Sequence, residues 1–204
     1  MSRPAHHLIA SKSTVLATIL EYFELFLTCL AAILLLFTFD VRVCNVDGNS
    51  MLPTLHNGER LITWNLFYEP SQGDIIIFHQ TSDVLDSHNA PFVKRVIATE
   101  GQHVRIDFAA KTVSVDGVEL TEDYIQLVNA FGVNIDRYTL FANHNTTGGV
   151  FEATVPDGHL FVMGDNRNNS SDSRSTMVGF VDERRVLGRA VFRISPFSEF
   201  GIID

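Results

Sequence analysis

PFVKRVIAT, residues 91–99, is the stretch on which the fold turns. It is short, rich in β-branched and aromatic residues, and bounded by a proline, which reads as a strand. Successive side chains on a strand point to opposite faces, so the adjacent Lys94 and Arg95 are split between them and one must face inward. An inward lysine has two readings. Its stem can lie along apolar surface with the ammonium in water, or its amine is desolvated and drawn toward the neutral form.

The same pattern continues on both sides. VRVCNV (41–46), RLITW (60–64), DIIIF (74–78), HVRID (103–107), TVSV (112–115), HLFVMG (159–164) and LGRAVFRIS (187–195) are short, β-branched and partly alternating. Asp116-Gly117 between apolar runs predicts a tight hairpin. EDYIQLVNAF (122–131) offers a helical turn or two and nothing more. The expectation is a mainly β fold, an antiparallel sheet domain with long loops. Two polar segments are too long for simple turns: HQTSDVLDSHNAP (79–91) and DNRNNSSDSRSTM (165–177). The density of Asp, Asn, Arg and Ser in the second predicts a buried network that locks the backbone.

Ahead of the strands, residues 14–39 read TVLATILEYFELFLTCLAAILLLFTF. The uncharged part, Leu25 to Phe39, would be about 22 Å long as a helix, short of a bilayer core of about 30 Å. Extension back to Ala17 supplies the length and brings in Glu21 and Glu24, which belong near the inner interface beside Tyr22 and Phe23. A cleaved signal would be followed by a small-x-small site, and DVRVCNV has none, so a retained anchor is expected. Arg3 and Lys12 place the N-terminus on the cytoplasmic side. The predicted organisation is a cytoplasmic segment (1–14), one transmembrane helix (15–39) and an extracytoplasmic β-rich domain (40–204), single-pass in the cell membrane. Trp64, Phe67 and Tyr68 suit either the membrane interface or core packing.

The charge balance, 15 Lys plus Arg against 24 Asp plus Glu, leaves −9 and no basic stripe for nucleic acid. Cys29 and Cys44 are the only cysteines, one inside the greasy segment and one beyond it, so no disulfide framework is expected. The eight histidines are scattered without metal-site spacing, and no metal or cofactor is expected.

Between anchor and strands lies DGNSMLPTL, residues 47–55. A serine among Gly, Asn and Pro is an ordinary turn residue unless a base stands beside it. His56, His79, His88, His103 and His159 all sit in or beside turns, and none has the setting of a triad base. A lysine can replace histidine if its pocket keeps it neutral. Of Lys12, Lys94 and Lys111, only Lys94 lies in an apolar strand where desolvation could act.

With these residues together, the chain resembles the bacterial type I signal peptidases, membrane-anchored Ser/Lys proteases, and in particular their single-anchor, Gram-positive-type members. GNSMLPTL is similar to their nucleophile box, GDIIIF to the strand that follows, FVKRVIA to their lysine box, GDNRNNSSDSR to their late polar box, and GRAVFRISPFSEFGII to their C-terminal strand. The resemblance implies that Ser50 is the nucleophile and Lys94 the general base. It implies that Ser170 hydrogen-bonds the lysine amine and aims it, while Asp172 and Arg174 pair to hold the loop. The Ser50 N–H would be one oxyanion donor. Some members supply another from a hydroxyl two residues before the nucleophile, where this chain has Gly48. Gly48 and Asn49 would permit a tight backbone approach at the nucleophile. Met51 would line a shallow pocket whose walls include Leu55, Phe92 and Val93. The substrates implied are signal peptides of exported preproteins, cut after small-x-small sites of Ala-x-Ala type at the lipid bilayer. KRVIATEGQ departs from the family's usual KRVIGLPGD, which should change the turn after the base and leave the dyad intact.

The principal alternative is a catalytically silent, membrane-anchored β-domain that binds exported peptides, although such a binder has no need of Ser50, Lys94 and Ser170 together. The sequons at Asn168 and Asn169 lie in the polar box, where a glycan would obstruct the site, which favours a bacterial host. A penicillin-binding Ser-x-x-Lys enzyme is excluded because Pro53 stands at the lysine position.

Overall fold

The computed structural model describes residues 6–80, 91–125, 149–167, 169–176 and 178–203. It divides into two compact units, residues 1–41 and 42–204. The first is essentially one helix, α1 (His6–Asp40). Within it Val15–Leu35 is long and apolar enough to cross a membrane, and its side chains are exposed throughout. Glu21 and Glu24 are three apart and therefore share a face of the helix.

The second unit is built from β1 (Val41–Asn45), β2 (Arg60–Trp64), β3 (Ile75–His79), β4 (Pro91–Ala98), β5 (His103–Asp107), β6 (Thr112–Val115), β7 (Val118–Glu119), β8 (Val150–Thr154), β9 (His159–Met163), β10 (Val181–Asp182), β11 (Val186–Ser195) and β12 (Gly201–Ile202). The larger sheet runs β1-β2-β11-β3-β4-β9-β10 with β12 on β11, and the smaller runs β7-β6-β5-β8. The pairings of β11 with β2 and β3, of β3 with β4, and of β4 with β9 are all antiparallel. The mainly β, antiparallel fold is thus as expected, with β2, β5 and β6 at the expected bounds. The hairpin falls on Asp116-Gly117, both with positive φ. Sequence pattern missed β8, β10 and β12. The last two are only two residues long, and β8 (VFEAT) is secured by five partners on β5 rather than by its own alternation.

Lys94 and Arg95 point to opposite faces as expected, but both are buried rather than one: they are 3% and 4% exposed. Both faces of the larger sheet are covered near β4, so a strand there reads as a continuous buried run. On one face Lys94 stands opposite Ile76, in a row with Phe92 and Val96 and beside a core of Ile76, Phe78, Leu160 and Val162. Arg95 stands opposite Ile75 and Met163 on the other.

Position bears on two further expectations. Tyr68 packs against the core and donates its hydroxyl to Asp74, whereas Phe67 is 95% exposed. The turn after β4, where Ala98 and Glu100 stand at the positions of the glycine and proline in KRVIGLPGD, is closed by Gln102, whose Oε1 accepts from the Thr99 N–H. The loop at 79–91 and the stretch 122–131 lie largely outside the described residues.

Candidate active site

Ser50 sits on the loop between β1 and β2. That loop is pinched at its base by Val46 N–H to Glu59 O (2.8 Å) and Gly58 N–H to Val46 O (2.9 Å). Inside it, Leu55 N–H reaches back to Met51 O, forming one helix-like turn. Met51 and Leu55, four residues apart on that turn, are 1% and 0% exposed and pack into a core with Val46, Ile75, Ile77 and Val93. Burying that face leaves Ser50 half-buried on another side of the turn. Met51 and Leu55 therefore offer no surface as pocket walls and lie beneath Ser50. Of the four residues expected to line a pocket, Val93 is also core and only Phe92 is half-buried.

Across from this turn, the Lys94 amine lies 2.8 Å from Ser50 Oγ and 2.8 Å from Val93 O. Its other neighbour is the Phe92 ring, 5.3 Å from Nζ. Burial pushes the lysine down from its ordinary 10.5 to about 8; the Asp172 and Asp165 carboxylates oppose this, and the Arg174 guanidinium assists it. At pH 7 about one lysine in ten is then neutral, against about one in 3,000 for a free side chain.

The polar segment after β9 holds both groups in place, as the buried network expected of residues 165–177. Asp165, Asp172, Ser173 and Arg174 are each at most 5% exposed. Asp172 and Arg174 pair through two 2.8 Å bonds, Nε to Oδ1 and Nη2 to Oδ2. Burial alone would raise the Asp172 carboxyl, but the Arg174 charge and hydrogen bonds, with the Gly164 N–H, hold it below the ordinary range. Asn166 donates its N–H to Ser50 O (3.0 Å) and its Nδ2 to Asn49 O (2.9 Å). Arg95 grips Asp165 with Nε and Nη2, and Asp165 Oδ2 accepts from Thr54 Oγ1 at 2.5 Å. These links join β4, the polar segment and the loop that carries Ser50.

Ser170 is placed differently from the expectation. Its Oγ is buried without a hydrogen-bond partner, so the expected bond to the Lys94 amine is not made, although the hydroxyl is near enough to help hold the Asp172 carboxyl down. The amine is instead held by Ser50 Oγ and Val93 O. Ser170 packs against Gly164, where an added Cβ would lie 2.3 Å from Ser170 Oγ and 2.4 Å from Ser50 O. The tight backbone approach thus occurs at Gly164, not at Gly48. A Cβ on Gly48 would meet nothing, and glycine is required there by its φ of +88°. Gly48 N–H is taken by Asn57 Oδ1 at 2.9 Å.

Sequence reasoning missed Gly164, Asp165, Asn166 and Arg95 as parts of this arrangement. The dense polar composition was the available signal, but which polar residue meets which is fixed by contacts far apart in the chain. Spacing also concealed the convergence of His56, Glu59 and Glu199 within 4.8 Å, a geometry that could hold a metal ion. The Arg193 guanidinium lies between the two glutamates, with Nε 3.0 Å from Glu59 and Nη1 against Glu199, and already supplies positive charge there. Cys29 and Cys44 are free thiols. A hollow of about 600 Å³ beside Tyr68, Thr99, Glu100 and Glu183 includes neither Ser50 nor Lys94 in its lining.

Known proteins are similar to this chain over most of its length. It is 37% identical over 188 residues to the probable signal peptidase I-1 of Synechocystis, covering 89% of this chain and 85% of that one. Signal peptidase I of Bacillus licheniformis is 32% identical, with 92% and 94% covered. Signal peptidase I T of Bacillus subtilis is 34% identical, with 89% and 88% covered. Among solved structures, a signal peptidase I of Enterococcus faecalis is 29% identical over 60% of this chain and 97% of that one, with a TM-score of 0.39. The family described as signal peptidase, peptidase S26, matches residues 19–195, and the chain belongs to that family.

Proposed function

We propose that this chain is a signal peptidase I that cleaves signal peptides from exported preproteins, with Ser50 as nucleophile and Lys94 as general base. The observation that carries the reading is the 2.8 Å contact between Ser50 Oγ and a lysine amine that is 3% exposed. As an ammonium, Lys94 donates to Ser50 Oγ. Once deprotonated, its lone pair accepts the serine proton across the same contact as Oγ attacks the scissile carbonyl. The resulting ammonium then protonates the leaving amine. A water deprotonated by the same amine resolves the acyl-enzyme. Among the described residues nothing engages the Ser50 N–H, which leaves it available as an oxyanion donor.

Substrate access follows from the sheet. The pairing of β4 with β9 begins at Arg95, so residues 91–94 of β4 have no β9 partner. An extended peptide can add there as a strand, bringing its carbonyl past Lys94 and Ser50. Phe92 then borders a small side chain, which suits small-x-small sites of Ala-x-Ala type. In this reading residues 15–39 span the bilayer, residues 1–14 are cytoplasmic, and residues 40–204 act on the far side, where preproteins emerge. Asp172 and Arg174 hold the loop, and Ser170 supports the amine as the reaction proceeds.

The test is cleavage of a preprotein by the purified full-length chain in detergent. Ser50→Ala should be inactive, and Lys94→Arg should be as inactive as Lys94→Ala, because a guanidinium stays charged. Turnover by Ser50→Ala close to that of the parent would sink the assignment and favour a peptide-binding domain.

A further inference from the structure

Between β7 and the next described strand, the segment Leu120–Ile125 crosses two arginines of the site region. Glu122 takes both terminal nitrogens of Arg167, Nη1 at 2.7 Å and Nη2 more closely. Their side chains are only 6% and 11% exposed. Tyr124 Oη donates to Glu122 Oε1 at 3.1 Å, and the Arg95 guanidinium lies 3.9 Å from the centre of the Tyr124 ring. Arg167 Nε reaches Gly164 O at 3.3 Å.

That last contact matters because of where Gly164 stands. Its N–H is held by Asp172 Oδ2 at 3.0 Å, and its carbonyl is held by Arg167. A Cβ added there would lie 2.3 Å from Ser170 Oγ and 2.4 Å from the Ser50 carbonyl, so both groups lie close against this glycine. The wall behind the nucleophile is therefore clamped on both sides, and one clamp ends at Glu122. A buried ion pair contributes little net stability, since desolvation offsets most of its attraction. What a two-pronged carboxylate–guanidinium contact does supply is a fixed direction for the third donor.

We propose that Glu122, braced by Tyr124, is a positioning residue for catalysis: it orients Arg167 so that Gly164 holds Ser50 and Ser170 at their working separation. The proposal rests on the Ser50–Lys94 reading above. Glu122 touches neither member of the dyad and acts only through Arg167. Tyr124 adds a second line, since its ring covers the arginine that grips Asp165, and Asp165 in turn holds Thr54 on the nucleophile loop.

Glu122→Gln, Glu122→Asp, Tyr124→Phe and the double variant Glu122→Gln/Arg167→Met are compared with the parent as full-length protein in detergent. Preprotein cleavage is measured across pH, and folding by Trp64 fluorescence. Glu122→Gln should lower kcat about 10- to 100-fold with KM unchanged, the scale expected of misplacing reacting groups by a fraction of an ångström or more. A loosened wall admits water to the Lys94 amine, which is faced by Asp165, Asp172 and Arg174. The acid limb of kcat/KM should then move up by about one pH unit. Glu122→Asp keeps the charge and should recover part of the rate. Tyr124→Phe should fall between parent and Glu122→Gln. The double variant should be no worse than Glu122→Gln, because the clamp is already released. A wild-type kcat for Glu122→Gln overturns the proposal. So does a rise in KM alone, or a lower melting temperature with an unmoved acid limb. Should Ser50→Ala still turn over, the underlying assignment fails; if that variant is dead while Glu122→Gln matches the parent, only the positioning role does.

Discussion

Lys94→Met should abolish cleavage and at the same time change the pH dependence of stability in a calculable way. Lys94 has an ordinary value of 10.5 and is lowered to about 8 in the folded chain by burial. Between those values the unfolded chain binds the proton and the folded chain does not, so stability rises as pH climbs through the window. Below about pH 8 both states are protonated and the folded state carries the full penalty of about 3 kcal/mol. At pH 10 that penalty has shrunk to about 1 kcal/mol. Methionine carries no charge and pays neither. Its side chain fits the row between Phe92 and Val96 but leaves Ser50 Oγ and Val93 O without their partner, a loss of about 1 kcal/mol each. That loss is the same at every pH. The difference in unfolding free energy between Lys94→Met and the parent should therefore move in favour of the parent by about 2 kcal/mol from pH 7 to pH 10. The assay is urea unfolding of the full-length proteins in detergent, followed by Trp64, the only tryptophan in the chain. A difference that stays constant over this range would refute a desolvated amine at Lys94, and with it the physical basis for a lysine base.

Two substitutions probe the wall behind Ser50. Gly164→Ala places a methyl 2.3 Å from Ser170 Oγ and 2.4 Å from the Ser50 carbonyl. Cleavage should fall at least about 100-fold, and adding Ser170→Ala should restore little, since the clash with the Ser50 backbone remains; a parent-like rate for Gly164→Ala would contradict the close approach. Ser170→Ala removes a buried hydroxyl that makes no full hydrogen bond and only helps hold the Asp172 carboxyl down, so the melting temperature should fall little. If the hydroxyl engages the amine in the transition state, kcat should drop about 10- to 200-fold and Ser170→Thr should be milder; equal, parent-like rates would remove Ser170 from the site.

The strands were legible in the sequence because their side chains carry the signal themselves. RLITW, HVRID and TVSV are β-branched and alternate, and they became β2, β5 and β6 at the expected bounds. The apolar run at residues 14–39 was equally plain, because a stretch of that length broken only by Glu21 and Glu24 needs no partner to identify it; α1 extends it to His6 and Asp40. Resemblance in short motifs singled out Ser50 and Lys94. What no local pattern could supply was the other side of each contact. Lys94 and Arg95 look like an inside–outside pair along the strand, yet both are buried, because segments far away in sequence cover both faces of β4. Met51 and Leu55 resemble pocket residues in their motif and are core in the fold, since the turn that carries them spends its apolar face on Ile75, Ile77 and Val93. Gly164 reads as one more loop glycine until Ser50 and Ser170, 114 and 6 positions away, close on its Cα. A sequence states which side chains seek burial and with what period; the protonation of a lysine, the need for a glycine and the partner of a glutamate depend on which distant atoms displace water from them, and only tertiary packing decides that.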